Sequence, residues 1–379
     1  MRKPARIAPL LLLSALAGYL YWAQLRPSVT PLVTSTSEWA SPLAANQGRP
    51  GERGNLLGIQ PELFPQDYQS PAHLRHKLAT YLQQARDQGV LNEKTVVVLP
   101  EHIGTWLVAS DEKNALYHAQ SLNEAMAWLV ASNPVALVQA LFAAQGEERL
   151  SDALFRMKAA QMARDYQAVF GGLAKEFEIT LVAGSIVLPA PEVIGEQLIA
   201  GDGPLFNVSQ VFARDGRPLG QPQRKVYPIR DEQGFTAAAS AEQLHSVETP
   251  AGRLGVLICA DSWYPAGYQQ LAEQKVDLIA VPAFLTGNGN WSKPWGGYNG
   301  AATPADVQLK AGELSEGQAW QRLSMPGRLN SSGAAAGITV FMRGQLWDMG
   351  SDGHSLLSNG SHQSAAADGK GARLANIWL

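Results

Sequence analysis

Gly255-Val-Leu-Ile-Cys259-Ala-Asp-Ser-Trp-Tyr-Pro265 runs from an apolar stretch into a polar and aromatic corner that closes on a proline. A short apolar run of this kind reads as a strand buried on both faces, and the residues after it break it into a turn. Cys259, the only cysteine of the chain, stands at that corner. A strand-to-turn corner projects one side chain into a cleft and leaves the following backbone N–H groups free to meet a developing negative charge. The thiol is therefore a candidate nucleophile. The competing reading is a small hydrophobe packed in the core.

Working outward, further runs repeat the pattern. Asn55 to Gln60, Thr95-Val-Val-Val-Leu99, Ile179 to Gly184, Asn207 to Ala213 and Asp277 to Val281 read as strands, the second stopping at Pro100-Glu101. Between them, Ala72 to Gln88 carries Leu74, Leu78, Leu82 and Ala85 at helical spacing. Helical patterns also run through Leu116 to Gln145, Asp152 to Phe177 and Tyr264 to Gln274. Strands alternating with helices predict an α/β body with internally buried sheets.

With 379 residues, 46% of them hydrophobic and 17% charged, the chain can bury a sizeable core. A net charge of -3 with no long basic run gives no sign of nucleic acid as a partner, and a small or lipid-like substrate is expected. A single cysteine excludes a disulfide framework and any multi-cysteine metal site. The seven histidines, including His102 beside Glu101, show no metal-ligand spacing, so neither metal nor organic cofactor is expected.

The N-terminus is basic at Arg2, Lys3 and Arg6, and from Ile7 to Leu25 it carries no charge. That is the length of a membrane span. Ala15-Leu16-Ala17 resembles a cleavage site, but the apolar stretch continues through Tyr19, Tyr21 and Trp22, which favours an uncleaved anchor over residues 1–26. The charge bias places the body outside the cytoplasm, periplasmic or otherwise extracytoplasmic. Residues 27–54, rich in Pro, Ser, Thr and Gly, read as a flexible linker, and residues 55–379 as one catalytic domain.

Three residues at strand ends have to be read together. Val-Val-Leu-Pro-Glu101, Arg-Lys225-Val-Tyr-Pro with Glu232 shortly after, and Ile-Cys259-Ala-Asp261-Ser-Trp-Tyr-Pro265 occur in that order. Taken singly, Glu101 is a cap or solvated loop residue, and Lys225 and Glu232 are solvated charges. Together the three motifs resemble the carbon–nitrogen hydrolase (nitrilase) superfamily over the chain from about Asn55 to the last strand. The resemblance implies a four-layer αββα sandwich in a single catalytic domain, and a possible homo-oligomer. It also implies a catalytic set of Glu101, Lys225 and Cys259, with Glu232 orienting Lys225.

Such a set has a chemical logic. A free thiol is mostly protonated at neutral pH, so attack on an amide or nitrile carbon needs a base, which Glu101 would supply. Lys225 would hold the negative charge that develops on the substrate, and a thioester would follow. The small-molecule substrate is then a non-peptide amide or a nitrile. Two alternatives stand beside hydrolysis: an N-acyltransferase that passes the acyl group to an amine, and an inactive scaffold that keeps the fold. The lipoprotein-acylating branch of the superfamily carries several membrane spans ahead of its catalytic domain, where one is read here.

Asp261 reads as scaffold, capping the helix near Tyr264. Trp263 and Tyr264 are candidates to line the substrate cleft. So are Trp291, Trp295 and Tyr298, in the Gly/Asn/aromatic loop after Phe284. Between Glu101 and Leu181 the chain is longer than a compact family member requires. The helical insertion around residues 110–165 contains a nearly uncharged stretch interrupted at Ser132, Asn133 and Pro134, which reads as helices packed over the body.

Overall fold

The computed structural model describes residues 7–26, 43–367 and 371–379. The helices that matter here are α1 (Ile7–Gln24), α2 (Pro71–Asp87), α3 (Leu122–Ser132), α4 (Pro134–Ala143), α5 (Arg149–Tyr166), α6 (Arg230–Gln233), α7 (Pro265–Glu273) and α8 (Glu316–Leu323). The strands are β1 (Asn55–Gln60), β2 (Thr95–Val98), β3 (Thr180–Val182), β4 (Leu205–Phe212), β5 (Pro218–Arg224), β6 (Gly252–Val256), β7 (Leu278–Ala283), β8 (Ala336–Phe341), β9 (Leu356–Ser358) and β10 (Arg373–Trp378).

The β-branched and aliphatic runs form two mixed sheets. One has the order Ala45–Gln47, β10, β1, β2, β3, β4, β5, with Ile186–Pro189 pairing β4; the other has the order Ser246–Thr249, β6, β7, β8, β9, Gln363–Ala365. β1, β2 and β3 are mutually parallel, as are β6, β7 and β8. Strands buried on both faces need cover on both sides. Leu56, Val96, Val98 and Val182 of the first sheet meet Leu254, Ala280, Ile338 and Val340 of the second in one core. On the outer faces, α2 and α5 cover the first sheet with Leu74, Leu78, Met162 and Tyr166, while α7 covers the second with Tyr268 and Leu271. The result is a mixed α/β fold layered helix, sheet, sheet, helix. Both central strand ends that carry motif residues, after β2 and after β6, come out at one edge of this stack.

Local chemistry sets the element ends. Ser70 caps α2, its hydroxyl accepting from the His73 N–H, and Pro71 opens the first turn. Ser121 caps α3 in the same way through Glu124. Asn133 and Pro134 break the insertion, so α3 and α4 meet at a bend of 101°. No single helix among the described residues is long and apolar enough to cross a membrane, and only this bent pair passes jointly.

Most of the expected linker, residues 27–42, lies outside the described residues. Its far end departs from the expectation: Ala45–Gln47 pairs in parallel with β10, so the sheet edge begins inside the stretch read as linker. A three-residue strand on an edge carries too little apolar periodicity to stand out from a polar context.

Candidate active site

Glu101 follows β2 through Pro100, and its backbone N–H donates to the Ala283 carbonyl at the end of β7 (3.3 Å), which ties the two sheets together at this edge. The turn is shaped by Gly184, whose φ of +62° and distance from Pro100 leave no space for a side chain: a Cβ there would lie 2.1 Å from the Pro100 carbonyl oxygen. Lys225 follows β5, with its N–H donating to the Asn207 carbonyl (2.8 Å). Cys259 opens a 3-10 turn, Cys259–Trp263, and takes a left-handed φ of +49° directly after extended Ile258. A non-glycine residue in that region is strained, and its side chain is aimed away from the strand direction.

Three loops therefore bring their side chains to one buried point. Lys225 Nζ donates to Glu101 Oε1 at 2.7 Å and to Glu232 Oε2 at 2.5 Å. Glu101, Lys225 and Glu232 are each at most 5% exposed. Burial alone would lower the lysine pKa, but the facing Glu101 and Glu232 carboxylates hold it well above the ordinary value. Burial would raise Glu232; Lys225 and His102 reverse the sign and keep it well below the usual carboxylate range. The Cys259 thiol, 3.9 Å from the Phe284 carbonyl, is pushed well above its ordinary pKa by burial and then by the Glu101 charge, with Lys225 pulling the other way. All four residues face one another across this point.

Two partners were not legible beforehand. Asn207 on β4 donates from its single amide nitrogen to Glu101 Oε1 (3.0 Å) and to Glu232 Oε1 (2.9 Å), so one NH₂ group spaces the two carboxylates. The available signal was a lone amide opening an apolar strand, which also describes an ordinary strand end. His102, at a strained φ of +60°, puts Nε2 3.4 Å from Glu232 Oε1 and 3.9 Å from Glu101 Oε1, while Nδ1 lies 3.0 Å from the Thr105 hydroxyl. Glu101, His102 and Glu232 thus offer ligand atoms within 4.8 Å of one another, a grouping that could hold a metal ion and that sequence spacing did not reveal. The Lys225 ammonium already bridges both carboxylates, which places a positive charge where an ion would bind.

Asp261 does not cap α7, which starts at Pro265 without a side-chain cap. Its carboxylate instead accepts from Val226 N–H (2.9 Å) and Tyr227 N–H (2.8 Å) through Oδ1, and from Ile258 N–H (3.1 Å) through Oδ2. It clasps the lysine loop to the cysteine turn. Burial pushes its pKa up to about 7 against the pull of Lys225 and these amides.

A cavity of about 140 Å³ opens onto Cys259, walled by Trp263, Tyr264, Phe284, Trp295, Tyr298 and Trp320, with Glu316 as its one carboxylate. Trp263, Tyr264 and Trp295 therefore line the cavity as expected for substrate contacts. Trp291 does not: it stacks on His354 (5.0 Å between ring centroids) and abuts Phe341, because the loop after β7 turns this ring back into the body. Phe284, Glu316 and Trp320 belong to the wall and were not singled out from sequence. Leu285, Gly297, Tyr298, Asn299 and Glu316 also border an outer vestibule of about 600 Å³, whose rim carries Arg230, Asp231 and Lys293.

This fold and this meeting of acid, ammonium and thiol define a cysteine-bearing α/β protein with a small aromatic-walled pocket at the thiol. The chain belongs to the carbon-nitrogen hydrolase family, whose family model matches residues 59–302. Among curated proteins it is 28% identical over 130 residues to a deaminated glutathione amidase of Synechocystis sp. (31% of this chain, 45% of the relative). It is also 23% identical over 136 residues to the probable hydrolase YhcX of Bacillus subtilis (36% of this chain, 24% of the relative). The chain spans less than half the length of these relatives. Its fold is similar to that of a cysteine mutant of the Nesterenkonia AN1 amidase from the nitrilase superfamily, at TM-score 0.53, 13% identity, 87% of this chain and 92% of that one. A double mutant of the same amidase in complex with acrylamide gives TM-score 0.51 at 14% identity, over 86% of this chain and 91% of that one.

Proposed function

We propose that this hydrolase cleaves a non-peptide amide or a nitrile by way of a thioester on Cys259. The observation that supports this reading is the contact of Lys225 with both Glu101 and Glu232 beside a buried thiol that faces a cavity. In the proposed reaction Glu101 accepts the thiol proton as sulfur attacks the substrate carbon. The Lys225 ammonium holds the charge that forms on the amide oxygen or nitrile nitrogen. For an amide, the tetrahedral adduct collapses with loss of an amine that takes the proton from Glu101. Glu101 then draws a proton from water, hydroxide adds to the thioester carbon, and the carboxylic acid leaves as the thiol is reprotonated. Glu232 and Asn207 position Lys225 and Glu101. Trp263, Tyr264 and Trp295 set the size of the group that fits.

The outer vestibule, which shares five wall residues with the cavity, gives space for an acceptor amine and favours acyl transfer as the second reading. Mass spectrometry of the chain after exposure to small amides, nitriles and acyl donors tests both. A Cys259 adduct discharged by water supports hydrolysis, one discharged only by added amines supports transfer, and no adduct with any of the panel overturns both. The folded domain, from Ala45 onward, carries this activity. Residues 1–26 are proposed as a membrane-inserted anchor with the body outside the cytoplasm, on the basic residues before Ile7 and the uncharged α1, although α1 taken alone falls short of a full span.

A further inference from the structure

α1 is apolar on every side, yet the body leaves it open: Leu10, Leu11, Leu12 and Leu13 are between 64% and 71% exposed. A helix of this kind needs an apolar surround. Its last turns are fastened to the insertion. Tyr19 OH donates to the Ala131 carbonyl (3.0 Å), and Trp22 lies 6.4 Å from the Trp128 ring. Lys113 Nζ donates to the Trp22 carbonyl (2.7 Å) and sits 4.5 Å over its ring. Arg26 donates to the Ser132 carbonyl (3.2 Å) and Asn133 Oδ1 (2.9 Å), 3.7 Å from buried Glu112. The axis of α1 is thereby fixed at the corner where α4 begins.

α4 has no charged residue over its ten positions. Leu137 and Ala140 pack inward, whereas Val135, Val138 and Phe142, at i, i+3 and i+7, share one outer face and are 55%, 53% and 86% exposed. An exposed phenylalanine forgoes the gain of taking its ring out of water. We propose that this face of α4 lies in the surface of a lipid bilayer, beside the point where α1 enters it. The inference rests on the anchoring reading above and goes further, since it makes the body a docked one and not one held at the end of a tether. A bilayer fits better than a protein partner for two reasons. The exposed leucines of α1 are a second apolar surface on the same body, and Tyr19, Tyr21 and Trp22 supply interfacial aromatics on the turns of α1 that fasten to Trp128, Ala131, Ser132 and Asn133, just ahead of Pro134. The segment leaving α4 also reaches the active-site side of the molecule: Glu148 N–H donates to the Gly234 carbonyl (2.8 Å), next to α6, whose Arg230 and Asp231 rim the vestibule.

The test uses the full chain with Cys259→Ala, carrying Val138→Cys or Phe142→Cys and labelled with an environment-sensitive fluorophore in phosphatidylcholine vesicles. Glu273→Cys, exposed on α7 in the opposite helix layer, is the reference. Folding of each is checked by its melting curve against the Cys259→Ala parent. Labels at 138 and 142 should be quenched by nitroxide lipids and show roughly threefold weaker iodide quenching than the label at 273. Co-flotation with vesicles but equal iodide quenching at all three sites would overturn the docked face and leave the anchor standing. Failure to co-float would remove the anchor and the docked face together.

Discussion

At Cys259 two effects oppose one another: burial and the Glu101 charge keep the proton on sulfur, while Lys225 favours the thiolate. The balance lies with the thiol, so the nucleophile depends on a base at the moment of attack and not on a standing thiolate. Glu101→Gln separates the two roles of that carboxylate. Hydrolysis should fall roughly 10²–10⁴-fold for want of a general base, yet the thiol should titrate at lower pH because a negative charge has left its surroundings. Alkylation rate against pH, read beside turnover, checks both directions at once. A rise in the thiol pKa in this variant would show that Glu101 does not face the sulfur. Asn207→Leu tests the spacer: it leaves one oxygen of each carboxylate without that donor and should lower kcat about 10–100-fold, as lost orienting hydrogen bonds around a reacting group do. An unchanged kcat would reduce Asn207 to packing.

Between elements, the site depends on contacts that hold loops from different strands in register. Asp261 is the clasp between the Lys225 loop and the Cys259 turn, and Asp261→Ala would strip two buried N–H groups and one half-buried one of their acceptor. With each such bond worth about 1–3 kcal/mol, the melting temperature should fall by several degrees, and turnover should fall further than stability alone explains, since Lys225 loses its register with sulfur. Gly184→Ala should destabilise by roughly 3 kcal/mol through backbone strain and the clash at Pro100, measured by chemical denaturation. What the sequence made legible follows from the same physics. Strands such as Thr95–Val98 and Leu278–Ala283 are continuous apolar runs because both faces are buried, and Glu101 and Cys259 follow runs of this kind, so these elements and residues could be picked out; Lys225, after the polar strand Pro218–Arg224, and Glu232, inside α6, stood out only through the resemblance. Asn207, Phe284, Glu316 and Trp320 could not, because their placement depends on which loops meet across the two sheets. Trp291 was misjudged for that reason, its loop doubling back toward His354. Asp261 was read as a helix cap because its local spacing fits one, whereas its partners Val226 and Tyr227 lie 35 and 34 positions away in the chain.

For the molecule as a whole, stacking two sheets gathers four ionisable groups into one buried cluster, and folding stability inherits their titration. Lys225, raised in the folded state, contributes stability that is present below its unfolded pKa of about 10.4 and lost only as pH climbs through the higher folded value. Cys259 is raised as well. The unfolded chain releases the thiol proton above about pH 8.5 while the folded one retains it, so rising pH favours unfolding from there upward. Between about pH 8.5 and 10 the thiol is thus the member of this set whose titration weakens the fold, the lysine contribution still being complete. The melting temperature of the native chain should decline across that interval, and that of Cys259→Ser should decline less, because a serine hydroxyl does not ionise there. Parallel curves for the two proteins would mean that the thiol is not held in its protonated form by the fold, and the need for Glu101 as a base would lose its physical ground.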